Sequence, residues 1–314
     1  IKNYDGLQWK IFGLLISLNF YKLIKWEKLI GTLKLKVDSS LNYPGEIILI
    51  DNRKKVFDLE NEKIYYILEK KSELYKEINI RKKFPNVNFA PLVKIDLKKK
   101  ILIMRFLNLN TFNKILTTPF KILQNSFDQL IYFYKKNKIK KITFSKEISK
   151  IFKRNNHFRS FKDENKKIMD LAYQILNKEE KLILVQSHGD LHLAHIGKNK
   201  GDGKIYILDW ECSKEENLFF DLFWMILVDY RLNGKKCFEK LIYKQSLNTT
   251  RFEKIILALE KGFGEKFDLD TILKYFMLTI IKFIEEAHKN GKLSDVKVEF
   301  LVLKKITRLI KNIC

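Results

Sequence analysis

The chain has 314 residues, 46% of them hydrophobic, which is enough for a sizeable core and for two lobes and excludes general disorder. Its formal net charge is +24, but lysine far outnumbers arginine, so two readings stand: compositional bias in a chain also rich in Ile and Asn, or attraction to an anionic ligand or surface. The three cysteines, Cys212, Cys237 and Cys314, are odd in number and lack a CxxC spacing, which argues against a disulfide scaffold or a zinc site and for a reducing, cytoplasmic compartment.

Residues 7–30 carry apolar groups at helical spacing, from Trp9, Ile11 and Phe12 to Leu23, Ile24 and Trp26, edged with lysine. The most apolar stretch, Ile11 to Tyr21, is shorter than the roughly 20 residues a bilayer span needs. The segment is expected either to pack on its own domain or to lie as a foot on the inner face of the membrane. We take residues 1–31 as an N-terminal amphipathic helical segment.

Residues 32–107 change character. Short β-type runs follow one another: Glu46–Asp51, Lys55–Leu59, Lys63–Leu68, Leu92–Asp96 and Ile101–Leu107, separated by turn clusters such as Asp51-Asn52-Arg53 and Glu60-Asn61-Glu62. The first three predict an antiparallel meander. Between the third and fourth, the stretch from Ser72 to Phe84 predicts a helix, with Ser72 as N-cap and Glu73 in its first turn. From Asn110 onward helices predominate, at Thr111–Ile115, Phe120–Lys136, Ser145–Arg154, Lys162–Asn177 and Leu218–Leu232, and then at 236–244, 250–262, 268–289 and 293–312. The fold class is therefore α+β: a small antiparallel-sheet lobe over residues 32–108 and a larger, mostly helical lobe over 109–314.

The exception within the helical part is Ser187 to Ser213, SHGDLHLAHIGKNKGDGKIYILDWECS. Three of the five histidines, His188, His192 and His195, and four of the 12 glycines fall here. Glycine permits tight turns and close backbone approach. A short strand, Lys204–Leu208, then delivers Asp209 and Glu211. Phosphoryl transfer needs such parts: one carboxylate orients the attacking hydroxyl and takes its proton, and another holds Mg²⁺ on the phosphates. Asp190, in a polar loop, suits the first role, and Asp209, at the end of an apolar strand, suits the second.

His188-Gly189-Asp190-Leu191-His192 followed by Ile207-Leu208-Asp209-Trp210-Glu211 resembles the aminoglycoside phosphotransferase and choline kinase family, whose fold is protein-kinase-like and bilobal. The resemblance implies that Asp190 is the catalytic base and Asp209 a metal ligand, with Glu211 assisting. It implies too that Asp221, in Phe219-Phe220-Asp221-Leu222, braces the catalytic loop with His188. Glu77 matches the helix glutamate that orients a phosphate-binding lysine, and Met104-Arg105-Phe106-Leu107 occupies the place of the hinge, making Arg105 and Phe106 nucleotide-contact candidates. ATP and Mg²⁺, or Mn²⁺ in its place, are the implied nucleotide and ion.

Two departures stand out. The position five residues after Asp190 is His195 where the family has a metal-binding Asn, which resembles the kinases of lipopolysaccharide core sugars and points toward envelope glycans. Imidazole is a poor ligand for Mg²⁺, so His195 is a metal ligand, a phosphate contact or a packing residue. The small lobe also lacks a glycine-rich loop, since no glycine stands between Gly45 and Gly189, and no lysine in Lys63–Leu68 is convincing as the phosphate-binding one.

The expected activity is ATP-dependent transfer to a hydroxyl of a small molecule or envelope-glycan sugar, an anionic acceptor suiting the charge. The alternative is a catalytically weak or dead kinase-like binding protein. A choline-type acceptor would need an aromatic cage, for which Trp210, Trp224 and Tyr230 are candidates. A specific nucleic-acid partner is not expected, because no zinc spacing or aromatic-glycine RNA motif is present.

Overall fold

The computed structural model describes residues 47–50, 55–58, 61–68, 70–84, 86–112, 114–115, 117–154, 161, 163–234, 251–289 and 296–313. The amphipathic segment 7–30 and the helix expected at 236–244 lie outside the described residues. The described residues form two compact units, one containing those up to Phe112 together with Ala194–Glu211, the other containing the rest.

In the first unit, β1 (Ile47–Ile50), β2 (Lys55–Asp58) and β3 (Lys63–Ile67) form the expected meander, with Ile48 opposite Phe57 and Val56 opposite Tyr65. After α1 (Lys71–Lys83), β4 (Leu92–Asp96) and β5 (Ile101–Arg105) complete a five-stranded antiparallel sheet of order β1-β2-β3-β5-β4. Leu74 and Ile78, one turn apart on α1, pack with Tyr66, Leu68, Ala90, Leu102 and Met104 in the core of this unit. The helix starts earlier than Ser72 implies. The Lys70 backbone N–H donates to Glu73 Oε2 at 3.2 Å, so an acid reaching back takes over the capping and leaves Ser72 inside the first turn.

A second, three-stranded sheet of order β10-β9-β6 is formed by β6 (Leu109–Thr111), β9 (Ile196–Asn199) and β10 (Ile205–Ile207). Among the described residues of Thr111–Ile115, where a helix is expected, none is helical. Leu109 pairs with Asn199 and Thr111 with Gly197, so these residues satisfy their backbone groups across a sequence gap that local periodicity does not reveal.

The second unit is mostly helical. It contains α2 (Phe120–Lys136), α3 (Phe144–Arg154), α4 (Asp163–Leu176), α5 (Phe220–Asn233), α6 (Arg251–Phe263), α7 (Leu269–Lys289) and α8 (Lys297–Ile313). A small antiparallel sheet of order β11-β8-β7 runs through it, made of β7 (Lys140–Thr143), β8 (Lys181–Ser187) and β11 (Lys214–Asn217). Lys282 of α7 bridges Glu147 of α3 at 2.8 Å and Glu216 of β11 at 2.7 Å. Such pairs fix register more than they add net stability, but removing one partner is costly. Among the described residues, no helix is long and apolar enough to cross a membrane.

Candidate functional site

In the first unit, Glu77, Arg105, Phe106, His195 and Asp209 line one cavity of about 230 Å³. They come from α1, the end of β5 and the residue after it, and the two ends of the β9–β10 hairpin. That hairpin brings the last two together: the Leu208 backbone N–H donates to the His195 carbonyl at 2.8 Å, and His195 Nε2 lies 3.6 Å from Asp209 Oδ2. Asp209 has φ +63, in the left-handed region that costs a non-glycine residue energy and recurs at functional sites. The backbone of Glu211 belongs to the short turn Trp210–Cys212; its side chain lies outside the described part.

The cavity-facing residues of β3 are Ile64 and Tyr66, two apart on one face of the strand. No lysine of β3 lines the cavity. Glu77 pairs with Arg81, one helical turn on, at 3.5 Å between Nε and Oε2. Sequence reading missed Arg81, and the i, i+4 spacing of an acid and a base on α1 was the available signal. Arg81 also donates to the Ala90 carbonyl at 2.5 Å, contacts Met104 Sδ at 3.2 Å and stacks over the Phe89 ring at 5.2 Å. Burial pulls its pKa below the usual arginine value, and Glu77 opposes that. Trp210 is buried, packs against Phe89, donates its indole N–H to the Ile207 carbonyl at 2.9 Å and lines the same cavity.

For a divalent ion, Asp209 offers a carboxylate oxygen of the kind Mg²⁺ prefers, while the neighbouring imidazole of His195 is a nitrogen donor that suits Mn²⁺ better. These two donors suit a divalent cation in their chemistry, Asp209 through oxygen and His195 through nitrogen.

In the second unit, the loop bearing Asp190 follows β8 and is held from beneath by Asp221. This carboxylate, 1% exposed in the first turn of α5, accepts the backbone N–H groups of His188 at 2.8 Å and Gly189 at 3.0 Å and the hydroxyl of Tyr134 at 2.6 Å. Burial pushes the Asp221 pKa up, the three donors pull it back, and the nearby charge of Asp190 adds to the rise. Tyr134 is held well above the usual tyrosine value by burial and by Asp221.

Gly189 has φ +89, and a Cβ there would stand 2.1 Å from the Cys212 carbonyl oxygen, so only glycine fits this close approach. His188 is fully buried, and the Asp190 backbone N–H donates to its Nδ1 at 3.4 Å. On β11, the Lys214 carbonyl accepts the Ser187 hydroxyl, and Ser213 just before the strand donates to the Ser187 carbonyl at 2.7 Å. Asp190 Oδ1 accepts the indole N–H of Trp224 at 2.9 Å, a partner that sequence reading considered only for an aromatic cage. Tyr230, the third cage candidate, is buried in α5.

No protein-family model and no curated protein sequence matches the chain. Solved structures do. It is similar to the choline kinase LicA from Streptococcus pneumoniae, at 12% identity over 94% of this chain and 99% of that one, with a TM-score of 0.53. It is also similar to a macrolide 2'-phosphotransferase type I, at 13% identity over 88% and 95% of the two chains and a TM-score of 0.52. A third similar structure is a thermostable mutant of an aminoglycoside phosphotransferase in a ternary complex with ADP and hygromycin B, at 12% identity over 84% and 94% and a TM-score of 0.52. At this level of identity the likeness is one of fold, and the chain has the protein-kinase-like fold of aminoglycoside phosphotransferases and choline kinases.

Proposed function

We propose that this chain is an ATP-dependent phosphotransferase acting on a hydroxyl of a small molecule or envelope-glycan sugar. The observation that carries the reading is the convergence, on one cavity of the first unit, of residues as far apart in the chain as Glu77, Arg105, His195 and Asp209. Neighbours in the fold solved with ADP and hygromycin B, or with AMP-PNP and Ca²⁺, support a nucleotide and a divalent ion.

In this reading Arg105 and Phe106 contact the nucleotide, and Asp209 holds the ion, with His195 and Glu211 assisting. When bound, a divalent ion offsets the negative charge that spreads over the phosphate oxygens in the loose transition state. Asp190 accepts the proton of the acceptor hydroxyl as its oxygen bonds to the γ-phosphorus and ADP departs. Asp221 and His188 keep the loop in place. The net charge of +24 favours an anionic acceptor.

A second reading is favoured by β3, whose cavity-facing residues include no lysine: a kinase-like protein that binds nucleotide and transfers slowly or not at all.

Turnover of ATP with Mg²⁺ and with Mn²⁺, against a panel of sugars, amino alcohols and phosphorylated glycans, separates the two. A phosphotransferase consumes ATP with at least one acceptor. Asp190→Asn then removes transfer by about 100-fold or more without lowering the melting temperature. Asp209→Asn weakens nucleotide binding more with the ion than without it. Nucleotide binding with no turnover on any acceptor establishes the second reading, and near-native turnover by Asp190→Asn refutes the assignment of the base.

A further inference from the structure

Helix α5 holds the Asp190 loop at two points. Asp221, in its first turn, accepts two backbone N–H groups of the loop, and Trp224, three residues on and hence on the same face, donates its indole N–H to Asp190 Oδ1 at 2.9 Å. The indole itself is fixed. It stacks on Phe220 with ring centroids 5.4 Å apart and planes 22° apart, and its other neighbour, Phe283 of α7, stands 4.8 Å away at 42°. A ring packed by two others has little freedom to turn, so the N–H is delivered at a fixed place and in a fixed direction. The first contact sets where the loop lies; the second sets how the carboxylate is rotated.

Rotation matters for a group that must take a proton from a hydroxyl. A carboxylate on a single Cα–Cβ–Cγ stem turns about two bonds, and a misdirected oxygen lengthens the path to the proton. Indole N–H is a donor only, so the bond has one polarity, with the carboxylate oxygen accepting.

We propose that Trp224 is a positioning residue that orients the Asp190 carboxylate for proton acceptance. This rests on the reading of Asp190 as the base. Trp224 reaches the reaction only through Asp190. Trp224→Phe deletes the donor and keeps an aromatic, though smaller, ring between Phe220 and Phe283, which makes it the informative substitution.

Two measurements test the proposal. The first needs no knowledge of the acceptor. The chain contains four tryptophans, so a ¹H–¹⁵N spectrum of the indole groups has few resonances, and Trp224→Phe identifies its own by removing it. Asp190→Ala is expected to move that resonance upfield and to speed its exchange with solvent. The second is kinetic. Trp224→Phe is expected to lower kcat by about 10- to 100-fold, with the KM for nucleotide unchanged and a melting temperature close to wild type. A packing role would instead lower the melting temperature and leave kcat of the folded fraction intact.

An indole resonance that ignores Asp190→Ala overturns the proposal. So does a Trp224→Phe enzyme with wild-type kcat beside an inactive Asp190→Asn. Retained turnover in Asp190→Asn overturns the assignment of Asp190 itself, and that failure is read in a different variant.

Discussion

Asp221→Ala leaves three buried donors without their acceptor: the backbone N–H groups of His188 and Gly189 and the hydroxyl of Tyr134. All three lie around a carboxylate 1% exposed, beside His188 at 0% and Tyr134 at 1%. A buried donor left unsatisfied costs about 1–3 kcal/mol, so three give a gross penalty of about 3–9 kcal/mol. The substitution also removes the cost of burying a charge, which offsets part of this. Single removals of one partner from a buried charged network fall at about 3–5 kcal/mol, and we expect Asp221→Ala in that range. That is a large fraction of the roughly 5–15 kcal/mol that holds a domain folded.

Tyr134→Phe is the control. It deletes one donor and leaves Asp221 with its two backbone partners, so it should cost about 1–2 kcal/mol. The double variant should cost less than the sum of the two, because the hydroxyl lost in one background has already lost its acceptor in the other. Urea denaturation followed by far-ultraviolet circular dichroism, with midpoint and slope both fitted, reads these differences. A loss for Asp221→Ala no larger than that for Tyr134→Phe, or strict additivity of the two, would refute the account of Asp221 as the acceptor that holds the loop.

Gly189→Ala places a Cβ 2.1 Å from the Cys212 carbonyl at φ +89, and should cost about 3 kcal/mol or more, whereas Gly203→Ala, at φ +68 with open space around it, should cost only the left-handed penalty of about 1–2 kcal/mol; equal melting temperatures for the two variants would contradict this. Asp268 accepts the Thr271 backbone N–H at 2.7 Å at the start of α7, and that bond, with the Thr271 hydroxyl, holds its pKa below the ordinary value of 3.8. Asp268→Ala should therefore cost about 1 kcal/mol at neutral pH. Because the folded-state pKa is the lower one, this contribution is present above the unfolded value and is lost as pH falls through the folded one, so wild type and variant should converge below pH 3.8. A gap in denaturation midpoints that stays constant into strong acid would rule out the ionised cap.

Local pattern was sufficient for much of the fold. The runs Lys55–Asp58, Lys63–Ile67, Leu92–Asp96 and Ile101–Arg105 become strands where alternation and turn clusters placed them, and long amphipathic stretches such as Phe120–Lys136 become helices. Strand β8, Lys181–Ser187, is different. Its Leu182–Val185 core is buried on both faces and so shows no alternation by which to identify a strand. Strand β11, Lys-Glu-Glu-Asn, has poor strand composition; it is extended because it pairs with β8, Lys214 opposite Ser187 and Asn217 opposite Leu184.

The site divides in the same way. Residue type and spacing put Asp190, His195 and Asp209 on one short loop and hairpin, because these are encoded by consecutive residues and glycine at fixed offsets. The sequence by itself likewise determined an α+β chain with a small sheet-rich part before a helical one, since hydrophobic period is a local property. Only the tertiary structure decided that Asp221 accepts two loop N–H groups from 32 and 33 residues away, and that an indole on α5 meets Asp190. Hydrogen bonds of that kind depend on packing between elements distant in the chain, and no local propensity carries that information.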